Sequence, residues 1–164
     1  MQDYAVGMRI LQRLIGAMLR PAAERQARGK TFSDLANELG EAWPRIETHL
    51  KGKPDTGMNR EALAHCIGIE RWGQSRLKVG LGEPFTLDAY HPYRPNLEDG
   101  VDALAQAMKE TREATIALAH DLEAKGVPVE KKVEHNDLGE MSLGAWLMFL
   151  KQHASRELPL RVRG

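Results

Sequence analysis

The chain has 164 residues, and its 23 Lys plus Arg balance 23 Asp plus Glu, so the formal net charge is zero. That length suits one domain, residues 1–164, with a core of its own. The neutral balance excludes a general nucleic-acid binder, which shows a basic excess or patch. A lone cysteine, Cys66, excludes an internal disulfide and fits a reducing, cytoplasmic setting, while the longest nearly apolar run, Met141 to Leu150, is only ten residues long where a membrane span needs about 20.

Few aromatic and β-branched residues, with abundant Ala, Leu, Glu and Arg, make helix the expected element. No charged region followed by an apolar core opens the chain, so no secretory signal is read. The first segment, Asp3 to about Gly29, carries Val6, Ile10, Leu14 and Met18 on one face and several arginines on the other. It is an amphipathic helix, extra to those that follow or broken at Pro21. Its basic face is the one feature suited to a membrane surface or an acidic partner, but a packed helix with a solvated face explains it as well.

Thr31 and Ser33 are caps for a second helix. Phe32, Leu35, Leu39, Trp43, Ile46 and Leu50 repeat at helical spacing, with a bend expected at Pro44. Lys51 to Gly57 is a loop by its Gly and Pro content. Asn59 is placed to cap a long helix running to about Val79. Leu63, Ile67 and Leu77 fall on one of its stripes, and His65, Ile69, Trp72 and Val79 on a neighbouring one. The prolines and glycines between Gly80 and Gly100 exclude regular helix there. A loop that long is more than a connection, and Phe85, Tyr90, His91 and Tyr93 are suited to cover one end of the molecule and shape a pocket. A packed surface loop is the plainer reading.

The cleanest periodicity runs from about Asp99 to Lys125, where Val101, Leu104, Met108, Thr111, Thr115, Leu118 and Leu122 follow steps of three and four, the pattern of helix-on-helix packing. Gly126 ends this helix. His120 is off its stripe and expected at the surface. Val127, Val129 and Val133 alternate, but a single short strand has no obvious partner, and His135 reads as a surface turn residue. The last helix starts after Ser142, a fair N-cap, and its stripe is Leu143, Trp146, Leu147, Leu150 and Ala154. Pro159 is expected to stop it and leave the tail loose.

Two polar residues lie on that last stripe. His153 and Glu157 are four apart, so imidazole and carboxylate point the same way. A buried carboxylate without a partner is costly, and a divalent metal would satisfy both groups. A helix that frays and leaves Glu157 in solvent would remove the conflict. His65 lies early in one long helix, and His153 and Glu157 late in another. If the two helices are antiparallel neighbours, the three side chains meet. Two imidazoles and a carboxylate suit Zn, Ni, Fe or Mn and leave positions for water or substrate. Water on such an ion is acidified to a pKa of about 7. Glu70 and Gln74, polar residues on the Leu63 stripe, are candidates to support the ligands from behind.

Residues 61–77, EALAHCIGIERWGQSRL, and 138–158, LGEMSLGAWLMFLKQHASREL, together resemble the DinB/YfiT-like helical bundles. In that family a histidine on the second bundle helix joins an H-x-x-x-H pair on the fourth. His65 and His153 match two of these three positions, and Glu157 stands where the third histidine usually is, a departure that would retune metal choice or mark a site without chemistry. The resemblance covers roughly residues 59–158. It implies an all-α, up-down-down-up four-helix bundle, often a homodimer, with a divalent metal near one end. Family members with assigned activities are metal-dependent thiol S-transferases and an isomerase that use a low-molecular-weight thiol, and the family name records induction by DNA damage. A metal-dependent transferase or hydrolase of a small-molecule substrate is therefore the leading expectation. The alternative is a non-catalytic interaction or dimerisation protein with a relic site.

Overall fold

The computed structural model describes residues 18–164, most of them helical. Residues 18–27 are helical and are labelled α1. The longer helices are α2 (Phe32–Leu50), α3 (Gly57–Gly80), α4 (Val101–Ala124) and α5 (Leu143–Arg161), with a hairpin of β1 (Lys132–His135) and β2 (Gly139–Ser142) between the last two. No described helix is long and apolar enough to cross a membrane. The basic amphipathic face expected from Asp3 onward lies largely outside the described residues.

Local chemistry explains the helix starts. Thr31 and Asp34 form a reciprocal capping box at α2, Thr56 accepts the Asn59 N–H at α3, and Ser142 accepts the Ala145 N–H at α5. Each such cap contributes about 1 kcal/mol. The cap of α3 is therefore Thr56, not Asn59. Pro44 does not break the helix, and α2 runs through it. Proline's ring is pressed against the carbonyl four residues back. Here that residue is Gly40, whose missing side chain leaves the backbone room to adjust. Nor does Pro159 stop α5, which continues to Arg161.

The tail beyond Pro159 is fastened rather than loose. Val162 is fully buried, and His49 Nε2 donates to its carbonyl at 3.0 Å. The buried Asn59 side chain donates to Arg163 O and accepts from Arg163 N, both at 2.9 Å. This ties the end of the chain to the start of α3.

Helix α2 packs on α4 and α5, and α3 packs on the same two. The core has two apolar parts. One holds Phe32, Leu35 and Leu39 of α2, Trp72 and Leu77 of α3, Leu122 of α4 and Trp146 of α5. The other holds Ile46, Ile67, Met108 and Leu158. Helices α2 and α5 thus run from the first part towards the second, and α3 and α4 run the opposite way. Burying one such side chain is worth about 1.5–3 kcal/mol, so the facing stripes outweigh the caps.

Between the two parts lies a polar layer. Glu70, Arg112, Thr111 and Thr115 are all buried. Arg112 donates to Glu70 at 2.8 Å and to Leu150 O at 3.3 Å, and the Thr115 hydroxyl donates to the other Glu70 oxygen at 2.9 Å. Gln74 donates to Thr111 O and Thr115 Oγ1.

Of the alternating valines, only Val133 belongs to a strand, and that strand has a partner. β1 and β2 are antiparallel, with Val133 opposite Met141 and His135 opposite Gly139. The three-residue turn, Asn136 to Leu138, closes on Gly139 at φ +74°, a left-handed position that glycine fills without cost. Glu24 of α1 accepts from the Ser142 N–H at 2.8 Å, its hydroxyl at 2.7 Å and Lys132 at 2.9 Å. The hairpin, α1 and the first turn of α5 are locked together there.

Candidate metal centre and adjoining pocket

Helices α3 and α5 are antiparallel neighbours, and they bring two of the three expected ligands together. The His65 and His153 rings lie 5.2 Å apart, centre to centre, tilted by 48°. Tyr90 Oη, from the long loop, stands 3.2 Å from His65 Nδ1, so His65 is left with Nε2 as its open nitrogen. Burial pushes the His153 pKa down to about 3, helped by His65 and nearby arginines. Burial also lowers His65, with Arg161 adding to the effect and Glu157 opposing it. Both rings are neutral near pH 7. His153 is too weak a base to move protons efficiently at that pH, but its neutral lone pair is the form that ligates metals.

Glu157 is only half-buried, and its ionic neighbours are Arg156 at 3.5 Å and Arg161 at 3.8 Å. It is the acid whose charge acts most on His65. Among the described residues no three His, Cys, Asp or Glu side chains converge to hold an ion. Glu70 and Gln74 face the polar layer, where their hydrogen-bond partners are Arg112, Thr115 and Thr111. Burial raises the Glu70 pKa above the usual carboxylate value, and Arg112 and Thr115 hold it back.

A pocket of about 480 Å³ opens beside His153, between α3, α5, the long loop and the hairpin. Ile69, Trp72, Tyr90, Phe149 and His135 form its principal walls. Of the loop residues expected as a cover, Tyr90 lines the pocket, as does His91. Tyr93 supports it from behind through a 2.6 Å hydrogen bond to Asp88. Phe85 lies elsewhere, with the Arg76 guanidinium 4.9 Å from its ring centre. The loop can press this close to α3 because residue 68 is glycine: a Cβ there would come within 2.6 Å of Arg94 Cγ.

Asp88 is the knot of this region. It accepts from Trp72 Nε1 at 3.1 Å, pairs with the buried Arg76 at 3.0 Å, and its carbonyl accepts from Asn136 at 2.7 Å. Burial pulls its pKa up, but Tyr93 and Arg76 outweigh that and hold it low. The helix, the loop and the hairpin turn therefore share one anchor.

His135, expected at the surface, is buried at 6% exposure. Strand alternation turns it inward with Val133, since side chains two apart share a face and both are buried. It stacks on Trp146 at 5.0 Å and meets Trp72 edge-on at 5.0 Å. Its Nδ1 accepts from the Asp137 and Leu138 N–H groups at 3.1 and 3.3 Å, which places the proton on Nε2. That Nε2 is buried and has no hydrogen-bond partner among the described residues. Burial lowers its pKa to about 4. Val133, two residues before it on the same strand, was the sequence signal for this inward histidine. No family model, curated protein or solved structure matches the chain.

Proposed function

We propose that the chain is a DinB-like up-down-down-up four-helix bundle that binds a divalent metal between His65 and His153 and acts on a small molecule in the adjoining pocket. The observation that carries this is the spacing of the two rings. A tetrahedral ion about 2.1 Å from one nitrogen of each imidazole puts the ring centres about 5 Å apart, and here they are 5.2 Å apart. Tyr90 Oη at His65 Nδ1 is the kind of outer contact that orients a ligating histidine.

Glu157 is the third ligand in this reading. Its two arginine contacts are long and their arginines are nearly half exposed, at 49% and 43%. Such surface pairs are worth about 0–1 kcal/mol each, so an ion has little to displace. When bound, a divalent ion would acidify a water or hold a substrate thiol as thiolate, which fits a transferase or hydrolase. The His153 and Tyr90 side chains would hold the substrate's near edge, and Trp72 and Phe149 would exclude water from it.

The engagement of Glu157 by arginines favours a second reading, a non-catalytic scaffold whose site is a relic. Metal content of protein made without an affinity tag separates the two. The first expects about one Zn, Ni, Fe or Mn per chain, lost in His65→Ala and in His153→Ala and weakened in Glu157→Gln. Added metal at a hundred times its Kd would then stabilise the fold by about 2.7 kcal/mol. Metal-free protein whose stability ignores both chelator and added Zn or Ni leaves only the scaffold.

A further inference from the structure

We infer that Arg161, in a cleft between the start of α3 and the end of α5, binds a small carboxylate, and that this anion and the metal ion bind cooperatively. The anion covers a cation that otherwise repels the ion, and it releases Glu157 to serve as ligand. The metal half of this rests on the reading proposed above; the anion site is an addition to it.

Charge, position and space carry this. Two arginines share Glu157, Arg156 at 3.5 Å and Arg161 at 3.8 Å, and one carboxylate cannot neutralise two guanidinium groups. Arg94, a third cation near His65, has an acid of its own in Glu61 at 2.6 Å. After burial, Arg161 has the largest effect on His65, and it acts on His153 as well. An ion between the two imidazoles is therefore repelled by Arg161, which also engages the third ligand. An anion on the guanidinium lifts both obstacles at once. There is room for one. Arg161 is exposed and borders a cleft of about 340 Å³ whose walls include Arg163, Met58, Ala62 and Leu160. Glu61 is on the same cleft, held by Arg94. A guanidinium matches a carboxylate through two parallel N–H donors, and the apolar walls suit a short alkyl chain. By linkage, whatever the anion does for the ion, the ion does for the anion.

The test is a zinc titration of the full chain against a competing chelator, with pentanoate, with its uncharged counterpart pentanamide, or with neither. Pentanoate should tighten zinc binding about tenfold, within the span of about 5–150-fold usual for coupled sites, and pentanamide should change nothing. Equilibrium dialysis should show zinc tightening pentanoate by the same factor. Arg161 is exposed in the last turn of α5, so its replacement leaves the core intact. Arg161→Gln should bind zinc, with nothing added, about as tightly as wild type does with pentanoate, and pentanoate should then add nothing. Arg161→Lys, which keeps the charge, should restore part of the anion's effect. Equal zinc affinity with and without pentanoate overturns the inference, as does an equal gain from pentanamide. A gain that persists in Arg161→Gln also overturns it, because the anion would then sit on the ion itself. Zinc that binds alike under all three conditions defeats this inference and leaves the metal reading standing, whereas zinc that binds under none of them defeats both.

Discussion

The molecule buries polar groups in two places, and it treats them differently. In the layer between the two parts of the core, Glu70 and Arg112 are each 1% exposed, and both Glu70 oxygens accept hydrogen bonds from residues of α4. Beside the pocket, His153 is half-buried, and His135 has a donor without a partner among the described residues. The first arrangement is closed to any ligand; the second borders a cavity. The charged pair in the layer has Coulomb attraction to offset its desolvation, whereas the pocket imidazoles avoid the cost by staying neutral. A buried ion pair is weak evidence of function, because its partners already consume its hydrogen-bonding capacity. A neutral imidazole that borders a cavity, as His153 does, is stronger evidence, because its lone pair can still ligate.

The largest effect that would break this contrast lies in the layer. Arg112→Met leaves Glu70 buried and unpaired, and it should destabilise the fold by about 3–5 kcal/mol. Adding Glu70→Leu to Arg112→Met removes the orphan and should recover at least half of that loss. Urea unfolding of the two single variants and the double closes the cycle. If the double is merely the sum of the singles, the two residues are not the coupled unit described here.

The pH dependence sharpens the contrast, because the two regions have opposite signs. His135 sits at about 4 in the folded chain against an ordinary 6.5. The unfolded chain therefore binds more protons between those values. The stability that His135 contributes is present above pH 6.5 and is lost as pH falls towards 4, about 3 kcal/mol in all. Glu70 is raised instead. Its contribution is complete below the ordinary carboxylate value and is lost as pH rises through its raised one. Stability followed from pH 7 to pH 4 in wild type and in His135→Phe should converge on acidification. Parallel curves would mean that His135 titrates in the folded chain much as it does in water.

These regions were not equally legible in the sequence. Helical spacing found α2 to α5 and the inward stripes of α4 and α5, because those patterns are local and repeat over many turns. It also brought His65 and His153 together, since antiparallel helices place an early residue beside a late one. The hairpin was missed: its strands are four residues each, and pairing is decided by a partner the period does not name. With it went His135, whose burial depends on that pairing. Pro44 and Pro159 were read as breaks from their own chemistry alone, without the packing that holds α2 and α5 through them. The partners of Asn59 and Glu70 lie 104 and 42 residues away in sequence, beyond any spacing rule. Asp88, which gathers Trp72, Arg76, Tyr93 and Asn136, left no signal in its own segment.

The smallest change probes the border of the pocket. Tyr90→Phe removes the hydroxyl 3.2 Å from His65 Nδ1 and keeps the ring that meets the imidazole edge-on at 5.1 Å. Both residues are half-exposed, so water can take the hydroxyl's place, and stability should fall by less than about 1 kcal/mol. Metal binding is another matter. If His65 ligates through Nε2, its Nδ1–H needs an acceptor to fix the tautomer and the ring angle. Losing such an outer partner typically lowers metal affinity about 10–100-fold. A zinc titration against a competing chelator therefore amplifies what unfolding barely registers. Equal zinc affinity in wild type and Tyr90→Phe would mean that the Tyr90 hydroxyl only packs the loop, and the contrast between a closed polar layer and an open pair of imidazoles would then rest on the spacing of His65 and His153 alone.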